Sequence, residues 1–72
     1  MSVNGFPMSE YAHRVSYHLR TTFRLHRRQA EWVCFRMWGI IEFNYRRKDD
    51  KSMAEYIYTQ WTLKLNREYD SL

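Results

Sequence analysis

One cysteine, one proline and two glycines are all that this 72-residue chain holds of the residues that staple or break backbone structure. A single thiol excludes an internal disulfide framework and suits a reducing, cytoplasmic setting. Gly5 and Pro7 lie together near the start, so residues 1–8 read as a flexible lead-in, and Gly39 is the one such signal afterwards. No glycine-rich loop is present to cradle a phosphate. No apolar run approaches the roughly 20 residues that span a bilayer, and no charged start followed by an apolar stretch marks a leader, so a soluble protein without a membrane partner is expected.

Catalytic groups are equally sparse. Glu31 and Glu42 stand isolated among arginines, so no carboxylate pair converges on one pocket. His13, His18, His26 and Cys34 are the soft metal ligands. His13 and His18 are five residues apart and fall on different helical faces, which gives no zinc spacing. A Cys–His nucleophile pair would need a pocket that three short helices can scarcely enclose. No enzyme activity, metal or cofactor is expected.

What the chain does have is aromatic surface and helical periodicity. Six Tyr, four Phe and three Trp make 18% of the residues. A domain this small buries only about 60% of its unfolded surface, so several of these rings must stay partly exposed. Interfaces favour such residues, and small domains often gain stability by oligomerising.

The apolar spacing predicts an all-α fold in one domain. Ser9 can cap a first helix over about Glu10 to Arg20, with Met8, Ala12, Val15 and Leu19 on one face. Thr21 or Thr22 can cap a second helix, carried by its period from Phe23 to about Tyr45. A lone strand over residues 40–45 would have no partner strand, so the helix is expected to continue through Gly39. Asp49 or Asp50 then caps a third helix, roughly Lys51 to Tyr69, whose main face is Met53, Ala54, Ile57, Trp61 and Leu65, with Tyr58 and Tyr69 at the edge. The expected architecture is a long helical hairpin of helices two and three with the short first helix folded against it.

The second helix has two apolar faces. Phe23, Ala30, Val33, Cys34, Met37 and Ile41 gather on one side, which matches the stripe of the third helix; Cys34 there is expected to act as a small buried hydrophobe. Leu25, Trp32 and Phe43 gather on the other, with Tyr56 and Leu63 forming a thinner second seam on the third helix. The first helix is about three turns long and the seam about five, so part of it is left for a partner. Leu25, Trp32, Phe35, Phe43, Tyr56 and Leu63 are the expected partner-binding residues.

Charge divides the chain. Residues 11–48 hold nine Arg or Lys against two Glu, a net +7, while the remainder is net −3. Arg20, Arg24, Arg27, Arg28, Arg46, Arg47 and Lys48 can follow a phosphate backbone, as can Lys64 and Arg67 further on. Arg24, Arg28 and Arg46 fall on one side of the second helix beside Phe35. Glu31 and Glu42 sit in the same quadrant, and pairs of Glu31 with Arg27 and Glu42 with Arg46 are the structural alternative.

Two segments resemble the helix-turn-helix of LuxR-type (GerE-like) transcription regulators. Leu25, Arg28, Gln29, Glu31, Val33 and Gly39 match the spacing of the family's opening helix. Lys51 to Ile57 is similar to its second helix, often K-E-I-A-E-R-L. The resemblance covers under a third of the chain and implies a DNA-binding regulator, with Thr62, Lys64, Asn66 and Arg67 as the residues facing DNA. The family's tight turns are replaced by the longer segment Ile40 to Asp50 and by a stretch after Ile57 with no Gly, Pro or Asn before Asn66. The third helix is therefore expected to run straight on.

Two functional expectations follow from different classes. The first is a small helical regulator or inhibitor that acts by protein–protein interaction, self-associating as a homodimer. At this length it would be of the kind encoded by phages and mobile elements to modulate host proteins. The second is a DNA-binding transcription regulator.

Overall fold

The computed structural model describes residues 7–72. All of its regular structure is helical, with no strand among the described residues. α1 spans Met8–Thr21, α2 Arg27–Arg36, α3 Trp38–Asn44 and α4 Asp50–Gln60; a π-helical turn, Trp61–Leu65, then leads into α5, Asn66–Asp70. α1 packs on both α4 and α2 and forms the centre of the assembly. None of the helices is long and apolar enough to cross a membrane.

Pro7, not Ser9, precedes the first helical residue, and the Tyr11 N–H closes the first turn on its carbonyl at 2.9 Å. Proline's fixed φ is preset for entry into a helix. The expected lead-in over residues 1–8 is thus already helical at Met8, and residues 1–6 lie outside the described residues. Glu10 in the first turn and His18 and Arg20 in the last complement the helix dipole. α1 buries Tyr11, Ala12, Val15 and Leu19.

The second helix does not start at Phe23. Arg24 adopts φ 61°, turning the chain so that the Leu25 N–H reaches back to the Leu19 carbonyl at 3.0 Å. His26, not Thr21 or Thr22, occupies the N-cap position, in extended backbone, and Gln29 returns its side-chain oxygen to the His26 N–H at 2.9 Å.

Nor is that helix continuous. Met37 sits at φ −109°, ψ 24°, ending α2 and opening α3. Gly39 lies inside α3, two residues past the break. The bend lets α3 bury Ile41 while carrying Tyr45 onto the ring of Tyr11, with centroids 5.8 Å apart.

Asp49 caps α4, its side chain accepting the Ser52 N–H at 2.7 Å. From Asp50 to Asp70 the rod proceeds without a separating turn. Ile57, Trp61, Leu65 and Tyr69 follow one another at four-residue steps, which in a pure α-helix drift about 40° each. The wider π turn takes up that drift. Trp61 and Leu65 stay in the core, and Tyr69 still reaches Trp32, ring centroids 5.5 Å apart.

The core joins Tyr11, Val15 and Leu19 of α1, Ala30, Val33 and Cys34 of α2, Met37, Ile41 of α3, and Met53, Ala54, Ile57, Trp61 and Leu65 of the rod. Phe23, half-buried, stacks on Tyr58 at 4.4 Å.

Candidate interaction surface

The break at Met37 divides the second apolar seam. Its first half turns inward: Leu25 and Trp32 are half-buried against the core. Trp32 meets Trp61 and Tyr69 edge-on, at 6.4 and 5.5 Å. Its second half, Phe43, stays 62% exposed. The stripe expected as one continuous face is therefore two pieces with different roles.

Five of the exposed large apolar side chains, Phe35, Trp38, Ile40, Phe43 and Tyr56, flank α3. On one side, Gly39, Ile40, Phe43 and Asn44 of α3 face Tyr56 of α4 across a groove of about 330 Å³ that Lys48 closes. Past Tyr56 an adjoining hollow of about 410 Å³ lies between Arg36, Met37 and Ile40 and the rod residues Gln60, Lys64 and Leu65. On the other side, Phe35, 81% exposed, and Trp38 border a depression of about 440 Å³ between α1 and α2, alongside Ala12, His13, Arg20, Arg27 and Glu31. Of the six residues read as partner-binding, Phe43 and Tyr56 come together, Phe35 stands apart, and Leu63 is exposed on the π turn outside these hollows.

Trp38 and Ile40 are exposed apolar residues that periodicity passed over. In a straight helix they fall between the two seams; the bend at Met37 brings them out on either side of α3. Gly39 has neither a positive φ nor any atom within 4 Å of where a Cβ would stand. It costs the helix roughly 0.5–1 kcal/mol relative to alanine with no return in internal packing.

The basic residues separate into three groups. Arg24 is in the α1–α2 loop and Arg46 follows α3, so with Arg28 they form no single basic side of one helix. Arg20, Arg24, Arg27 and Arg28 are all exposed around that loop. Arg27 pairs with Glu31 at 3.0 Å, as the spacing suggested. The Glu42–Arg46 pair does not form: Arg46 donates instead to the Tyr45 hydroxyl at 3.1 Å and lies over its ring. Arg47 donates to the Phe43 carbonyl and sits 4.3 Å over that ring, and the Lys48 ammonium is 5.9 Å from the centroid of Tyr56. Lys64 borders the hollow adjoining the groove, Arg67 is exposed on α5, and Arg36 pairs with Glu68 at 3.0 Å, a contact no local spacing reveals. Thr62 is exposed and Asn66 half-buried on the same rod.

Two buried acids, Cys34 and Tyr11, are held neutral. Burial pushes the Cys34 thiol up to about 12, which leaves it without thiolate at neutral pH. Burial, then the charges of Asp49 and Asp50, raise Tyr11 to about 12. Asp49 is shifted down, chiefly by the Ser52 backbone N–H. His18 Nε2 lies 3.2 Å from an Asp50 oxygen, linking α1 to the start of α4. Among the described residues no three His, Cys, Asp or Glu side chains converge as metal ligands would. No protein-family model, curated protein or solved structure matches this chain.

Proposed function

We propose that this chain is a small helical interaction protein, a homodimer that regulates a larger protein by occupying its surface. One observation carries the reading: α3 exposes apolar side chains on both flanks, Ile40 and Phe43 on one and Trp38 beside Phe35 on the other. Each large apolar side chain left in water forgoes roughly 1.5–3 kcal/mol that burial at an interface recovers. We read α2–α3 and α4–α5 as the two arms of a hairpin whose uncovered side is closed by partners. The Phe35/Trp38 flank suits self-association, because Arg27 and Glu31 there neutralise each other and leave Arg20 to repel its copy, against three cations around the opposite groove.

The experiment is sedimentation equilibrium on the wild type and on Phe35→Glu and Trp38→Glu, with circular dichroism as the folding control. The wild type is expected to dimerise and both variants to run as folded monomers. A wild type that stays monomeric at about 100 µM removes the homodimer.

A second reading, DNA binding, has its own observation. Arg24 holds a left-handed φ of 61° where Gly or Asn sits more easily, at the tip of a loop flanked by Arg20, Arg27 and Arg28. An arginine there adds a fourth cation to the exposed cluster around the loop, a cluster suited to phosphate. In the LuxR-type variant of this reading the contacts come instead from Thr62, Lys64, Asn66 and Arg67. Duplex affinity measured against salt separates the two: Arg24→Gly lowers the salt slope by about one in the first and leaves it unchanged in the second. No binding at low salt removes both.

A further inference from the structure

The groove between α3 and α4 combines two properties that the fold itself does not use. Its floor is apolar and open, with Ile40 and Phe43 facing Tyr56 and with empty space above Gly39. Gly39 has no conformational need to be glycine, and its lack of a side chain leaves the floor of the groove open. Its rim is basic. Arg47 lies over Phe43, Lys48 over Tyr56, and Lys64 borders the adjoining hollow.

We propose that this groove docks an acidic amphipathic helix of a partner protein. The helix lies along α3 and α4 with its apolar side chains over Gly39 and Phe43 and its carboxylates toward Arg47, Lys48 and Lys64. The proposal rests on the interaction reading above and specifies its face and the chemistry of its partner. The rod from Tyr56 to Leu65 is about 13 Å long, which matches two to three turns of a helix presenting apolar residues at i, i+3 and i+7.

Charge selects this occupant over others. A second copy of the chain seated here by two-fold symmetry would set the same three cations against their duplicates, a like-charge contact that interfaces avoid. A nucleic-acid backbone would engage the rim but leave Ile40 and Phe43 uncovered. An acidic helix satisfies both rim and floor.

The test uses two synthetic peptides that share one i, i+3, i+7 leucine pattern, with glutamate and alanine elsewhere in one, and lysine and alanine in the other. Each is titrated into the full-length, 15N-labelled chain. The glutamate peptide is expected to shift the amides of Gly39, Ile40, Phe43 and Tyr56, to bind at least about tenfold tighter than the lysine peptide, and to weaken with salt. Gly39→Leu builds a side chain into the groove from a site where a Cβ has open space, and Phe43→Ser removes an exposed ring; each is expected to cut glutamate-peptide affinity about tenfold or more with helix content unchanged.

Equal affinity for the two peptides, no binding by either, or unchanged binding by Gly39→Leu would overturn the proposal. So would duplex DNA that shifts the same amides and displaces the peptide, or self-association mapped to this groove. Phe35→Glu and Trp38→Glu lie on the opposite flank of α3. Loss of dimer in those variants with the groove silent would sink the docking proposal and leave the interaction reading standing.

Discussion

The Tyr11 hydroxyl donates to the Lys48 carbonyl at 2.6 Å, tying the first turn of α1 to the residue before the cap of α4. These residues are 37 apart in sequence, and the bond closes the end of the core where Tyr45 also packs on Tyr11. Tyr11 is wholly buried, so its ring supplies packing and its hydroxyl supplies register. Tyr11→Phe keeps the ring and leaves the carbonyl without that partner, a loss of about 1–2 kcal/mol. Thermal unfolding checks this, with a midpoint about 4–8 °C lower for each kcal/mol in a domain of this size.

The same residue sets an alkaline limit. Tyr11 is raised from 10.0 to about 12 in the fold, and Cys34 from 9.0 to about 12. Both are acids whose neutral form the fold prefers. Their contribution is complete below the unfolded values and is lost as pH rises through this range toward 12. Stability is expected to fall above pH 9, and Tyr11→Phe should flatten the part of that fall between 10 and 12. Urea titrations at stepped pH show it; equal slopes in wild type and variant would refute the assignment to Tyr11.

Trp32 belongs to a three-ring cluster with Trp61 and Tyr69. Trp32→Ala is therefore a stability mutation, costing about 2–4 kcal/mol and erasing much of the near-ultraviolet dichroism. A Trp32 variant that keeps wild-type stability but loses a partner would show that this ring serves the interface instead.

Gly39→Ala should raise stability by roughly 0.5–1 kcal/mol, because the added methyl meets nothing and the helix gains propensity. A lower melting temperature would mean that α3 needs glycine for a reason internal to the chain.

Cys34 is expected to resist thiol reagents at neutral pH in the native state and to react at the rate of unfolding, since it is both buried and protonated. Rapid native labelling would show that reagents reach the thiol through the α1–α2 depression that Cys34 lines.

Much of the core was legible from spacing alone. Met53, Ala54, Ile57, Trp61 and Leu65 repeat at three and four residues and are all buried, as are Ala12, Val15 and Leu19. Tyr11 carried the same signal, one four-residue step before Val15, but a tyrosine on a short helix reads as an edge residue until its hydroxyl has a known acceptor. The break at Met37 left no trace in the period, because Ala30, Val33, Met37 and Ile41 share a face whether the helix bends or not. The bend accompanies burial of Ile41 and the packing of Tyr45 on Tyr11 of α1, which no local window contains. For the same reason the seam of Leu25, Trp32 and Phe43 read as one surface, while the fold spends Trp32 on Tyr69 and leaves Phe43 beside Tyr56.

The π turn at Trp61–Leu65 holds one residue more than an α-helix would need over the same rise. That surplus sets the rotational phase of everything after it. That surplus residue can be deleted, at exposed Thr62 for instance, with the rod relaxing to an α-helix and its last turns kept in phase; forcing all five residues into an α-helix instead would rotate those turns by about 100°. Tyr69 would leave Trp32 and Glu68 would leave Arg36, although neither contact residue had been altered. The chain's end is thus timed by a single extra residue eight positions upstream of Asp70.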